Sequence, residues 1–355
     1  FEQTHKMLGV QDYVIYLLTN EFVTDWSQAC RTMLMNISEF KWDEDMLKHT
    51  GISVDLLPKL VPPGSVAGTL KKEIAELAGI SAGIPAILAG GDQQCAALAL
   101  NVLKAGDAEA NTGTGSFAIA YSEKPQFDKE CRTLCSASAI PGKWIVEAGI
   151  FNSGAIHRWF REQFYPDGEN VYEVMNEEAA QSPVGSNGLM MLSHFEGSAA
   201  PYWNPLAKGM FFNVSLASKR SDFTRAILEG ITLEIKSNLS LIENLVGNIS
   251  MVSVAGGLTS LGLFNQIQSD AFNRKVIRYD NNEASSLGAL MSAGVTMGFY
   301  ANYEEAFQKI SAADPLVYYP DAINNEKYEK LSVRKNELYQ SLNQGGVYKL
   351  FNETL

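Results

Sequence analysis

The sequence predicts a mixed α/β fold in which helices cover a sheet. Short apolar runs of strand length alternate with segments whose apolar residues recur at helical spacing. Two of the strand-like runs end in glycine turns, Ala86–Ala89 before Gly90-Gly91 and Ala108–Asn111 before Thr112-Gly113-Thr114-Gly115. From Asp222, residues Phe223, Ile227, Ile231, Ile235 and Leu239 recur every fourth position, one apolar stripe facing a core.

Taken in order, the first forty residues read as helical around Val14, Ile15, Leu17 and Leu18, with Thr24-Asp25 a turn or cap. Residues 58–68 are rich in Pro and Gly and predict a loop, and Leu70 to Gly79 a short helix. Ile84 to Ala89 predicts a buried strand, and Gln93 to Leu103 a helix starting just after Asp92. Strands follow at Ala108–Asn111, Ser116–Tyr121 and Lys143–Ala148, then helices at Gly154–Gln163 and Val171–Ala180. The long helix is expected to open on Asp222 as its N-cap. Strand 250–255 runs into Gly256-Gly257, followed by helix 261–273, strand 275–278 and helix 284–298. The polar tail from Asn324 to Gln344 predicts an exposed helix.

Composition narrows the function classes. The 355 residues are enough for two domains with buried cores, and 46% apolar with 19% charged residues is globular composition. A formal charge of −12 disfavours nonspecific nucleic-acid binding. No apolar run reaches the roughly 18 residues that span a bilayer. The opening Phe1–Lys6 stretch lacks a signal-peptide layout. Four cysteines read as reduced thiols, Cys131 and Cys135 having no second pair to complete a zinc site, so the cytoplasm is the expected compartment.

The chemistry concentrates at the two glycine turns. Asp92 stands where the chain passes from strand to helix, beside glycines that allow a substrate to approach, so its carboxylate can orient a hydroxyl and accept its proton. The bland alternative is that Asp92 only caps the helix. Gln93 can bond a substrate hydroxyl or face solvent. The Thr112–Gly115 turn offers N–H groups and hydroxyls with little bulk, which suits an anion, or is a plain hairpin. Together the two turns suggest phosphoryl transfer. There is no Gly-x-x-x-x-Gly-Lys-Ser/Thr loop and no Gly-x-Gly-x-x-Gly after a strand. The histidines at 5, 49, 157 and 194 are scattered and read as structural or exposed.

Gly90-Gly91-Asp92-Gln93-Gln94, Asn111-Thr-Gly-Thr-Gly115 and the segment Gly209 to Glu229 resemble the FGGY carbohydrate kinases. Within that segment, Gly209-x-Phe211-x-Asn213-Val214 and Asp222-Phe223-x-x-Ala226-Ile227-Leu228-Glu229 are similar to the family's C-terminal signature, departing at Asn213 where glycine is usual. Ala255-Gly256-Gly257, Gln268-Ser269-Asp270 and Glu283–Leu290 are similar to its adenosine-side segments. The resemblance runs from about residue 10 to residue 300, with the motifs in family order.

It implies an actin-like, ribonuclease-H-type two-domain fold whose first domain is incomplete. Residues 1–105 would be a remnant of the N-terminal sugar-binding domain, 106–300 the nucleotide-side domain and 301–355 a helical tail. By resemblance, Asp92 is the catalytic base and contacts substrate and metal, and Gln93 contacts substrate. Thr112, Gly113, Thr114 and Gly115 hold phosphate, Gly154 lies against the nucleotide phosphates, and Arg158 is its polar neighbour. Gly256 and Gly257 let adenine lie against the backbone, with Leu261 where some members place asparagine. A valine at Gly113 is expected to fill the phosphate space and to disfavour a positive φ. The implied cofactors are ATP and Mg²⁺.

The implied reaction transfers the γ-phosphate of ATP to a small sugar or polyol, with a xylulokinase-like pentulose kinase favoured over a glycerol kinase. The family's Asp-x-Gly-Thr phosphate turn and its Lys-x-x-Trp segment have no match here, so the chain is expected to lack the opening part of a complete kinase. A non-catalytic actin-like nucleotide-binding protein is therefore the reading from another class. The resemblance allows a homodimer and calls for neither a nucleic-acid nor a membrane partner.

Overall fold

The structure is a computed structural model that describes residues 3–279, 283–311 and 314–352; of the N-terminal stretch read above, Phe1 and Glu2 lie outside the described residues. Its first part is built of short pieces. Helix α1 (Val10–Thr19) closes on Asn20 in the left-handed conformation. Asp25 caps the next turn by accepting the Ser27 N–H at 2.8 Å. The expected loop at 58–68 is instead two strands, Lys59–Val61 beside Val23–Asp25 and Ser65–Thr69 against Pro85–Leu88. The Pro62-Pro63-Gly64 turn falls between them, so the prolines punctuate strands rather than dissolve them. The Pro85–Leu88 strand is only half-buried apart from Leu88.

Helix α2 (Asp92–Ala99) begins on Asp92 itself, with Gly91 as its N-cap residue, one position earlier than the sequence suggests. Asp92 is therefore the first helical residue, not the cap.

The second part carries a seven-stranded sheet: β1 (Asp107–Thr112), β2 (Ser116–Ser122), β3 (Leu134–Ala137), β4 (Trp144–Ile150), β5 (Met251–Ala255), β6 (Lys275–Arg278) and β7 (Leu316–Tyr318). Their spatial order is β7-β6-β5-β1-β2-β4-β3. Strands β1, β5 and β6 are parallel, and β2 is antiparallel to both of its neighbours, β1 and β4. An antiparallel meander followed by parallel strands on its other flank is the ribonuclease-H arrangement. It leaves the β1–β2 turn and the end of β5 side by side at one end of the central strands.

Helices α3 (Gly154–Phe164), α4 (Val171–Gln181), α5 (Arg220–Val246) and α6 (Gly262–Phe272) surround one face. Of the expected stripe, Ile227, Ile231, Ile235 and Leu239 of α5 are at most 1% exposed, and Phe223 is partly buried. Burial of each of the four contributes about 1.5–3 kcal/mol. Every residue from Thr224 to Ile235 is buried too, so the helix is central rather than buried on one face alone. Asp222 corrects a sequence expectation: α5 starts at Arg220, and Asp222 sits one turn in, its carboxylate accepting the Lys219 N–H, Ser182 Oγ and Asn187 Nδ2. It ties the loop at Ser182–Asn187 to the helix.

Helix α7 (Ala284–Thr296) packs so closely on α2 that a Cβ at Gly288 would lie 1.8 Å from the Cys95 carbonyl oxygen. Helix α8 (Ala322–Gln344) is largely exposed, as its polarity suggests, but it docks through one face. Tyr328, Lys335 and Tyr339 are buried, and the Lys335 ammonium pairs with the buried Glu234 of α5. Burial alone would push the Glu234 carboxyl up, but Lys335 and His194 bring it down to about 2.

Candidate functional site

The turn between β1 and β2 is cemented from below by the start of α3. The N–H groups of Ser153 and Ala155 donate to the Thr114 carbonyl at 2.9 and 3.2 Å, and that of Gly154 to the Gly113 carbonyl at 3.0 Å. Ser116 Oγ donates to Ser153 Oγ at 2.7 Å. These contacts leave no room for side chains at three glycines. A Cβ would fall 2.4 Å from Gly113 O at Gly154, 2.5 Å from Ile150 O at Gly115 and 2.2 Å from Thr112 O at Gly256. Gly256 also has φ +94°, which L side chains rarely adopt.

Gly113 is different. Its φ is not positive, and a Cβ there would meet only Gly115 O at 3.8 Å. The expected positive φ is thus not found, while the expected open space is.

That space belongs to a cavity of about 340 Å³. Thr112, Gly113, Thr114, Gly154, Arg158, Gly257 and Leu261 line it, seven residues drawn from three separate motifs of the sequence. Gly115 and Gly256 do not line it; they shape its walls by close packing. Thr112 Oγ1 is buried with no hydrogen-bond partner among the described residues.

Sequence reasoning missed His157 and Tyr172 on the same wall. Their rings stack at 5.5 Å and 17°, and burial pushes the His157 imidazole down to about 4, so it is neutral at physiological pH. Tyr172 arrives from α4, and no local signal couples that helix to the turn.

Asp92 is exposed at the start of α2. Its Oδ1 accepts the Gln93 N–H at 2.8 Å, and its main-chain carbonyl accepts Ser285 Oγ of α7 at 3.0 Å. The preceding glycines are pinned from beneath. Gly90 has φ +127°, and the Gly91 N–H donates to Ser27 Oγ at 2.8 Å, which in turn donates to Asp25. Gln93 is half-buried, and its Oε1 has no hydrogen-bond partner among the described residues.

Arg31 is a cation within electrostatic reach of Asp92. It forms a 2.8 Å ion pair with Glu147 of β4, and the Asp92 charge also helps hold its proton. Glu147 additionally accepts Ser136 Oγ at 2.5 Å.

Behind this site lies an orphaned carboxyl. Glu109, in the middle of β1, is fully buried, and neither oxygen has a partner among the described residues. Burial, then the Glu147 charge, push it up to about 8. The folded chain therefore keeps a proton that the unfolded chain releases near 4.5. The stability this group contributes is full below pH 4.5 and is lost as pH rises towards 8. Glu109→Gln, isosteric and neutral, should remove the slope. At pH 8 we expect Tm to rise by at least about 4 °C, at about 1.4 kcal/mol per pH unit traversed. Melting curves from pH 5 to 9 that remain parallel for both proteins would refute this reading.

The chain is a two-domain α/β fold with a ribonuclease-H sheet, a glycine-walled cavity and a carboxylate opening a neighbouring helix. The models of the FGGY carbohydrate kinase family match it twice, the N-terminal domain at residues 1–99 and the C-terminal domain at 108–297. The chain belongs to the FGGY family of carbohydrate kinases.

It is 30% identical over 316 residues to a gluconokinase of Bacillus subtilis, covering 86% of this chain and 60% of that one. To a glycerol kinase of Thermococcus gammatolerans it is 33% identical over 309 residues, with coverage of 86% and 60%. A ligand-bound xylulose kinase from Lactobacillus acidophilus superposes with a TM-score of 0.91 at 25% identity, covering 99% of this chain and 70% of that one. The chain thus spans about 60% of the length of the first two relatives.

Proposed function

We propose that this chain carries the nucleotide side, and part of the acceptor side, of an ATP-dependent kinase that phosphorylates a hydroxyl of a small sugar or polyol. The observation carrying the reading is the single cavity on which Thr112–Thr114, Gly154, Arg158, Gly257 and Leu261 converge. The division proposed is 1–105 for the acceptor-side remnant, 106–300 for the nucleotide side and 301–355 for the tail.

In this reading the turn receives the phosphates. Phosphoryl transfer asks the protein chiefly for positioning and for donors aimed at phosphate oxygens, and the Thr112 and Thr114 hydroxyls with the turn's N–H groups are such donors. Arg158 adds a positive charge, and Gly257 with Leu261 leaves a flat apolar strip for the base. Asp92 orients the acceptor hydroxyl and takes its proton as the oxygen attacks the γ-phosphorus, while Gln93 Oε1, unsatisfied among the described residues, accepts a bond from the acceptor.

Among the described residues no cluster of three His, Cys, Asp or Glu side chains is available to cage a metal. Mg²⁺ is ordinarily held through one or two carboxylates and the substrate phosphates, so the exposed Asp92 fits that use. Asp92 would help hold the ion, whose charge would offset that of the phosphates.

A neutral ketose of the xylulose type is favoured as acceptor. Arg31, the cation within electrostatic reach of Asp92, is already neutralised by Glu147, which suits a neutral polyol better than an aldonate. A glycerol kinase is the nearest alternative. All four cysteines are free, and no helix among the described residues is long and apolar enough to cross a membrane, which fits the cytoplasm.

A coupled ADP-release assay tests the reading. The 355 residues contain no Asp-x-Gly-Thr turn, which supplies a metal carboxylate and γ-phosphate donors in the family. Losing one electrostatic contributor of this kind costs about 10²- to 10³-fold in rate. We therefore expect residues 1–355 alone to bind ADP without measurable turnover of xylulose or glycerol, and the full-length gene product to turn over one of them. Robust turnover by residues 1–355 would mean the phosphate site lies elsewhere. Nucleotide binding without turnover by the full-length product would favour the non-catalytic actin-like reading.

A further inference from the structure

We infer that Trp203, with Phe151, forms an acceptor-side aromatic subsite that takes the C–H face of the polyol and helps set acceptor specificity. The inference rests on the kinase reading above. A second, smaller cavity of about 120 Å³ is lined by Phe117, Leu134, Glu147, Phe151, Ala199 and Trp203. Phe117, Phe151 and Trp203 are 41%, 48% and 46% exposed, an unusual gathering of large rings at a surface.

Trp203 is held there against its backbone preference. Its φ is +47°, a genuine outlier for a bulky side chain, and strain of this kind persists only where the surroundings fix it. The surroundings do fix it. The indole Nε1–H donates to the Arg132 carbonyl at 3.1 Å, and the Trp203 N–H to Ala199 O at 2.8 Å. Arg132 is itself clamped on Asp128 by two bonds of 2.8 Å. Phe151 meets the indole edge-on, with centroids 6.4 Å apart at 75°. A loop that strains its backbone to display an indole gains nothing in packing from the exposed ring face.

The cavity is linked to the proposed chemistry through two of its lining residues. Phe117 stands two residues beyond the phosphate turn. Glu147 in its wall pairs with Arg31, which lies within electrostatic reach of Asp92. A ring face is electron-rich and attracts the weakly positive hydrogens on the carbon side of a polyol, leaving the hydroxyls to Asp92 and Gln93.

The test uses the full-length gene product with D-xylulose, glycerol and D-gluconate at saturating ATP. Trp203→Asn keeps a residue that tolerates the left-handed conformation, so the loop should hold its shape and Tm should not fall. We expect its acceptor KM to rise tenfold or more while the KM for ATP stays within twofold, and Trp203→Phe to recover most of the loss. Tryptophan emission provides a second readout, an acceptor-dependent change that disappears in Trp203→Asn. An unchanged acceptor KM, or a parallel rise for ATP, overturns the subsite and leaves the kinase reading standing. An emission change without turnover of any acceptor supports the subsite and overturns the kinase reading. Absence of both overturns both.

Discussion

Asp92→Asn should leave fold and nucleotide affinity intact and cut turnover of the full-length enzyme by about 10²- to 10⁴-fold, the usual worth of a positioned base. The substitution is mild in every structural respect. An Asn Oδ1 can still accept the Gln93 N–H now bonded at 2.8 Å, and the Ser285 bond goes to the main-chain carbonyl, which the change does not touch. The Gly90-Gly91 turn is held by Ser27 and Asp25 and does not depend on the Asp92 side chain. What disappears is basicity. A capping role makes the opposite forecast, a loss of stability of about 0.5–2 kcal/mol and little change in kcat. The structure already weakens that alternative, because Gly91 occupies the cap position. Measuring kcat, ADP affinity and Tm on the same variant separates the two, and a wild-type kcat would remove Asp92 from the chemistry.

Much of this site was legible in the sequence because its parts are local. A strand ending in Gly-Gly-Asp and another ending in Thr-Gly-Thr-Gly each fix a backbone shape within a few residues, and the structure places β1, β2 and α2 with boundary shifts of one to four residues. The α5 stripe was equally plain, since four-residue spacing and burial are two statements of one geometry. What escaped was set by distant partners. Tyr172 reaches the cavity from a helix whose own sequence is unremarkable there. Lys335 looks like a solvated charge until α8 lays it on Glu234. The strands at Lys59–Val61 and Ser65–Thr69 owe their form to Val23–Asp25 and Pro85–Leu88, and a Pro- and Gly-rich run carries no mark of such neighbours. The strained φ of Trp203 likewise follows from its anchors on Arg132 and Ala199 and from nothing in its flanking residues.

The glycines around the Thr112–Gly115 turn divide into two kinds, and that division yields the second large effect. Gly154, Gly115 and Gly256 are fixed by the fold, since a Cβ at any of them would strike backbone at 2.4, 2.5 and 2.2 Å respectively. Gly256→Ala should therefore lower Tm and weaken binding together, through a displaced Thr112. Gly113 faces open space, with its nearest neighbour at 3.8 Å and no left-handed φ to preserve. Gly113→Val should fold as well as wild type, apart from the modest preferences of a β-branched residue. Its two methyl groups would occupy the part of the cavity assigned to phosphate. If two charge-assisted hydrogen bonds are lost, at roughly 1.5–3 kcal/mol each, affinity falls by about 100-fold or more. Calorimetry with ADP on residues 1–355 should show measurable binding for wild type and none for Gly113→Val, with Tm unchanged. Equal binding by the two proteins would place the nucleotide away from this turn and take the phosphate assignment of Thr112–Gly115 with it.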